Sequence, residues 1–396
     1  MPCDEFDIDR PSVMAAVVPI AAVISAFLLV APAVVGALVN TIGLPPARAG
    51  YLLSIELAAM GVVVPPAFWW MARWDWRRVT VACLVLVAIG NAASACAHSF
   101  LALAILRSLT GIGAGSVILV CSATVAMTRE RERNYGFYVV GQLVLGVLGV
   151  KFLPGLIARH GLIALYGTLA LGTLALVPLV GCLPRSGRPE PGSRTGRGAG
   201  VVQWIDGRAF MGLGGILCFY IALSAVWAYL ERIGTRAGFQ RETIADALAL
   251  ASLFGVGGSI AASLLGGRWG RTAPICLGYA ILIGALASLF SVDGSVSAYT
   301  LGSCAFKFAW TFALPFVLAS LAARDPTGRV IVAANLLIIV GLAAGPALAA
   351  LSLHRAPDYS GTLLIGVSLA ILSLILALPM AYRGRGAAEP ASSTAP

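Results

Sequence analysis

Twelve apolar stretches, each about the length needed to cross a bilayer, run through this 396-residue chain and are separated mostly by short polar links. A hydrocarbon core of roughly 30 Å asks for about 20 apolar residues per helical crossing. With 59% hydrophobic residues, 11% charged residues and a mean hydropathy of +0.92, a soluble globular domain is excluded. The chain therefore reads as an all-α membrane protein.

The first six spans are expected at residues 13–39, 49–71, 79–98, 100–127, 135–158 and 162–182. The second six are expected at 209–230, 243–265, 273–291, 298–322, 330–353 and 360–381. The segment before the first span carries Asp4, Glu5, Asp7 and Asp9 against a single Arg10. That is the wrong charge for a secretory signal, so the span is expected to stay in the mature protein. Cytoplasmic loops are enriched in Lys and Arg, and the bias over short loops sets topology. With both termini inside, 18 of the 27 cations lie on the cytoplasmic side, 6 lie opposite, and three fall within spans. The net charge of +10 is thus explained by topology in a plasma (inner) membrane, and no basic patch with stacking aromatics points to nucleic acid.

The longest link, 183–208, is rich in Gly, Pro, Ser and Arg and reads as a flexible cytoplasmic linker. Its stretch Val201 to Ile205 is suited to the membrane interface. The link divides the chain into a tail 1–12, a six-helix bundle 13–182, a second bundle 209–381 and a tail 382–396. Sliding one half over the other supports this division. Arg73, Trp74, Asp75, Trp76, Arg77 and Arg78 after span two match Arg268, Trp269, Gly270 and Arg271 after span eight. Arg107 falls opposite Lys307, and Gly146 and Gly149 fall opposite Gly341 and Gly345. Two pseudo-symmetric six-span halves related by an axis along the membrane normal are a known transporter architecture.

Span four places Arg107 before Thr110, Gly111, Gly113 and Gly115, which resembles the Arg-plus-glycine motif of the fourth helix in the major facilitator superfamily of secondary transporters. The loop after span two is similar to that superfamily's Asp-Arg-x-Gly-Arg-Arg element, with Ala72 and Asp75 in place of its Asp and Gly. Gly341, Gly345 and Pro346 resemble the antiporter Gly-Pro motif, yet they lie in span eleven, whereas span five carries Gly146, Gly149, Lys151 and Pro154. The resemblance runs from about Val13 to Ala381. It implies the superfamily's twelve-helix fold and alternating access around a midplane site formed by spans one, four, seven and ten, and says little about substrate. It also implies that Arg73, Asp75, Arg77, Arg78, Arg268 and Arg271 form a conformational latch. Because Ala72 removes the usual acid, Asp75, Glu130 and Glu132 are expected to pair with these arginines instead.

A charge at membrane depth is costly and usually faces a partner or a wet cavity. Four such groups stand out: Glu56, Arg107, Lys151 and Lys307. At about 1.5 Å per residue, Glu56 and Lys151 lie roughly 12 Å from the outer ends of their spans and Arg107 about 10 Å from its own. Glu56 is therefore expected to neutralise Arg107 or Lys151, and it is the candidate proton-responsive carboxylate. Lys151 either joins this relay or snorkels outward. Glu231 and Asp246, at the outer ends of spans seven and eight, read as rim or capping residues.

Thr300, Ser303, Lys307 and Thr311 recur at helical spacing and make one polar stripe down span ten. Its cation favours an anionic group on a solute over a displaced carboxylate partner. Arg107 and Lys307 are expected to form a pseudo-symmetric cationic pair across the site, with Tyr220, Trp227 and Trp310 as aromatic walls.

Gly111 to Gly115 lacks the strand and the Lys-Ser or Lys-Thr of a phosphate loop, so close helix packing explains it better. The cysteines lie singly, mostly within spans, and the histidines fall in short links, so neither disulfides nor a metal site nor any other cofactor is expected. No nucleophile elbow, zinc-protease motif or intramembrane aspartate pair points to an enzyme. The linker and tails are too short for a receptor's signalling domain. The expected function is proton-coupled secondary transport of a small organic solute, modestly favouring anions, by a monomer in the lipid bilayer. Efflux of amphipathic compounds is the alternative.

Overall fold

The computed structural model describes residues 7–186, 207–266, 270–292, 294–323, 329–354 and 358–381. Most of the linker, the C-terminal tail, the interfacial stretch 201–205 and Arg268 lie outside the described residues.

Span one is not one helix. It runs as α1 (Pro11–Ile24), α2 (Ala26–Leu29) and α3 (Ala31–Ile42). Breaks fall at Ser25 and at Val30, the latter with φ −100° and ψ 20°. The second break has a covalent cause. Pro32 lacks an N–H, so the Leu28 carbonyl four residues earlier loses its usual i+4 donor and is met instead by a backbone N–H at the Val30 break.

The remaining first-half helices are α4 (Pro46–Val62), α5 (Val64–Trp70), α6 (Trp76–Ala95), α7 (Phe100–Ala126) and α8 (Arg131–Ala175). α8 turns at Gly161, whose φ of 61° and ψ of −145° suit glycine alone, so this segment crosses twice. The second half holds α9 (Gly207–Arg236), α10 (Arg241–Leu265), α11 (Thr272–Ser288), α12 (Val296–Ala322), α13 (Arg329–Leu353) and α14 (Ser360–Ala381). Nine helical stretches among the described residues are long and apolar enough to cross a membrane, one of them, Arg133–Cys182, containing the Gly161 turn. The shorter apolar helices Pro11–Ile24 and Ala31–Ile42 belong to span one and Thr272–Ser288 is span nine, which accounts for all twelve expected crossings.

Lipid offers no hydrophobic drive between helices, so close approach depends on small residues. α7 lies on α4 through Gly111 and Gly115. A Cβ on Gly111 would sit 2.7 Å from the Ala59 Cβ, and one on Gly115 2.8 Å from the Met60 Cα. The second half makes the equivalent contact from the other partner, with Gly258 of α10 pressed on the Phe308 carbonyl and the Thr311 side chain of α12. Gly146 and Gly149 pack span five on Leu29 and Val30 of span one. In the second half Gly341 and Gly345 pack α13 on Tyr220 and Ser224 of α9. The matched glycines thus do matched work.

The halves meet through α3 with α9, α4 with α13, and α8 with α10. Hydrogen bonds between described residues of the two halves run from mid-span toward the face opposite the termini. Trp227 donates to the Leu28 carbonyl at 3.4 Å, Tyr229 to the Pro46 carbonyl at 3.1 Å, and Arg232 to Asn40 at 2.8 Å. Tyr51 also stacks on His354, with ring centroids 6.4 Å apart. The molecule is closed on that face.

Gly111→Val and Gly115→Val should each lower stability by about 1–3 kcal/mol, because the added methyls meet backbone that cannot give. Gly155→Ala, whose added Cβ meets nothing within 4 Å, should shift the denaturation midpoint of the purified protein little. Equal midpoints for all three would count against tight α4–α7 packing.

Candidate functional site

Close packing of α7 on α4 brings Arg107 and Glu56 together in the core of the first bundle. The Arg107 Nη1 lies 3.3 Å from Glu56 Oε2, and the two side chains are 1% and 5% exposed. The same nitrogen donates to Asn91 Oδ1 at 3.0 Å, while Nη2 donates to the Gly90 carbonyl at 3.2 Å and to Ser94 Oγ at 2.6 Å. The guanidinium also lies over the rings of Tyr166 at 4.7 Å and Phe27 at 5.4 Å. A planar five-donor group suits such a many-sided socket. Of the two partners expected for Glu56, it is Arg107 that takes it.

Lys307 is placed differently. Its ammonium lies 3.5 Å from the Trp227 ring centroid and 4.3 Å from that of Trp310. Tyr220 stands edge-on to Trp310 at 6.3 Å, and Phe306 packs on the other side of Trp310 at 6.0 Å. Among the described residues no carboxylate lies within ion-pair distance of it. Two of the aromatic residues expected from sequence, Trp227 and Trp310, thus face the cation itself, and Tyr220 packs on Trp310. Trp227 is held from the first half, by the Leu28 carbonyl, whose i+4 donor Pro32 removes.

The symmetric cationic pair expected across the site is therefore corrected. Arg107 is held through both terminal nitrogens inside its own bundle, whereas Lys307 sits where Trp227 bridges to the first half. The polar stripe on α12 also divides. Thr311 donates to the Gly255 carbonyl of α10 at 2.6 Å, so it joins two helices. Ser303 is fully buried and its Oγ has no partner among the described residues. Thr300 bonds its own helix at Val296.

Lys151 neither joins the Glu56 relay nor stands alone. It pairs with Asp246 of α10, joining the two halves, and both side chains are partly exposed. Asp246 is thus no cap. It sits in the second turn of α10, one turn past the start at Arg241, and its carboxylate is turned to α8. Glu231 lies inside α9 rather than at its rim, with Oε2 sealed and unpartnered among the described residues.

The expected latch contacts also differ. Asp75 caps α6, its Oδ1 accepting from the backbone N–H of Arg77 at 2.8 Å and of Arg78 at 3.2 Å. Glu130 pairs with Arg133 at 2.6 Å. Arg73 donates to the Trp69 carbonyl and lies over the Trp69 ring at 5.0 Å. Arg77 donates to the Leu183 carbonyl at 2.5 Å, and the Trp76 N–H to the Arg185 carbonyl at 2.8 Å. This loop is thus anchored to the end of its own half. Arg271 stands at the start of α11 without a side-chain cap bond.

Sequence reasoning missed Asn91 and Ser94, although two polar residues three apart in an apolar span were a usable signal. It also missed the Leu28 carbonyl, which Pro32 four residues on could have revealed.

Removing one member of a buried pair leaves a charge uncompensated, at a cost of about 3–5 kcal/mol, whereas replacing both is often near neutral. Glu56→Ala should lower the unfolding midpoint of the purified protein sharply, and Glu56→Gln with Arg107→Met should restore most of it. A double variant as unstable as the sum of its singles would argue against this coupling.

The sequence over residues 15–346 matches the family model of the Major Facilitator Superfamily. No curated protein matches the sequence. Among solved structures, the chain is similar to a bacterial homolog of the human lysosomal transporter Spinster in an inward-facing, unoccupied conformation. That match has a TM-score of 0.65 at 16% identity and covers 94% of this chain and 96% of the other. A D-xylose–proton symporter matches at 0.70 and 14% identity, covering 91% and 96%. A mutant of the nucleoside transporter NupG matches at 0.71 and 11% identity, covering 93% and 98%. At these identities the likeness speaks for the fold, while the family match speaks for the class: this chain belongs to the Major Facilitator Superfamily and is a multi-pass secondary transporter, not an enzyme.

Proposed function

We propose that the protein carries a small organic solute bearing an anionic group, coupled to protons, by alternating access across the plasma (inner) membrane. It acts as a monomer with both termini cytoplasmic, as the excess of cations on that side supports. In this orientation the closed face is the outer one.

The observation that carries the reading is Lys307. An ammonium between two indole faces is stabilised by their quadrupoles, and it still lacks an acceptor among the described residues. A solute carboxylate or phosphate would supply that acceptor, with Tyr220, Trp227 and Trp310 packing its apolar part. Ser303 adds an unpartnered hydroxyl one turn away. Arg107 acts through Glu56, and the buried pair forms the proton-responsive unit. The fold shared with a D-xylose–proton symporter is compatible with such coupling. The aromatic surroundings also suit a second reading, proton-driven export of amphipathic compounds.

Flux into proteoliposomes of organic anions, organic cations and neutral sugars, with and without a pH gradient, separates these readings. Lys307→Ala should abolish or strongly reduce uptake of the transported anion while membrane insertion is unchanged, and Lys307→Arg should keep part of it. Wild-type rates in Lys307→Ala would sink the assignment. Glu56→Gln should make flux indifferent to an imposed pH gradient, because the amide mimics the protonated acid and cannot titrate. Accumulation driven by pH alone in that variant would exclude the coupling role.

A further inference from the structure

One turn beyond Trp227 on α9, Glu231 faces a cavity of about 330 Å³ between the halves, on the face opposite the termini. Gly36, Ala37 and Asn40 of α3, Pro154 of α8 and Arg241 of α10 line it. The carboxylate is pressed onto Gly36 so closely that any side chain there would collide with it. Oε2 is sealed from solvent, and no donor among the described residues reaches it.

The charged and titratable neighbours do not supply one. Arg232, next on the same helix, gives Nη1 to Asn40. Arg241 lines the cavity from α10 but lies outside ion-pair distance. Tyr299 of α12 gives its hydroxyl to the Leu230 carbonyl at 2.9 Å. Asp246 and Lys151 hold each other. The residues of α3 and α8 that line the cavity carry no charge.

An ionised carboxylate in that position has lost water at Oε2 without gaining a donor there, whereas the neutral acid loses far less. Parting of α9 from α3 would rehydrate the group and leave Arg232 and Arg241 free to pair with it, which favours the anion. We infer that Glu231 is a proton-binding site of this gate: closure takes up a proton at its carboxylate, and opening releases the proton to the solution on that face. By linkage, low pH then stabilises the closed gate, and raising the pH opens it. Glu56 is separate, being sealed with Arg107 inside the first bundle.

The test uses the full chain in nanodiscs, its eight native cysteines replaced, with Ala37→Cys as reporter. Ala37 is 3% exposed in the closed state. Labelling by a bulky maleimide is measured against the same cysteine in denatured protein at each pH, which cancels the thiol's own titration. The rate should rise about tenfold from about pH 5 to about pH 8. Glu231→Gln should hold it flat at the acidic value, and Glu231→Asp should keep a rise. The labelling is read without substrate or pH gradient, so failure here is distinguishable from failure of the Glu56 coupling role, which is read as flux. A flat profile in the parent, or an unchanged rise in Glu231→Gln, overturns the inference.

Discussion

The close approach of α7 to α4 is the contact from which the first half is organised. Gly111 and Gly115 let the two backbones meet where any larger residue would hold them apart. Only at that spacing does the Arg107 guanidinium reach Glu56 and, on its other side, Asn91 and Ser94 of α6. Within hydrocarbon a cation without partners is costly, so here packing and charge are satisfied together. The second half solves the same packing problem with glycines of α10 against α12, but among the described residues it places no carboxylate within ion-pair distance of its own cation, Lys307.

That asymmetry separates two roles within one pseudo-symmetric frame. The first bundle holds its charge in a buried network of Arg107 with Glu56, Asn91, Ser94 and the Gly90 carbonyl. The second presents Lys307 between Trp227 and Trp310, with Trp227 anchored across the interface to the Leu28 carbonyl. A covalent feature, the missing N–H of Pro32, therefore bears on the position of an aromatic wall in the other half. Discontinuous helices with freed carbonyls are the recurring means by which transporters place polar groups at mid-membrane.

The closed face is built mostly from side chains of α9 set against backbone of the first half. Tyr229 reaches the Pro46 carbonyl, Glu231 lies on Gly36, and Arg232 takes Asn40. The exposed Lys151–Asp246 pair adds a contact of the kind worth about 0–1 kcal/mol. Contacts of this sort, each weak and most of them polar, suit a seam that must open and close.

Hydropathy and length determined the membrane class, the twelve crossings and the division into halves, because a bilayer imposes a fixed span length on any sequence that crosses it. Motif and spacing made Arg107, Lys307 and the packing glycines legible, since these are properties of single helices or of repeats along the chain. Partners were not legible. Whether Glu56 meets Arg107 or Lys151, whether Asp75 binds a guanidinium or caps α6, and whether Thr311 lines a cavity or joins α10 all depend on helix rotation and on which helices are neighbours. Those are decided by packing between segments distant in sequence. For the same reason the two cations, equivalent in the repeat, came apart in three dimensions: one half supplies a carboxylate at that depth and the other supplies indole rings.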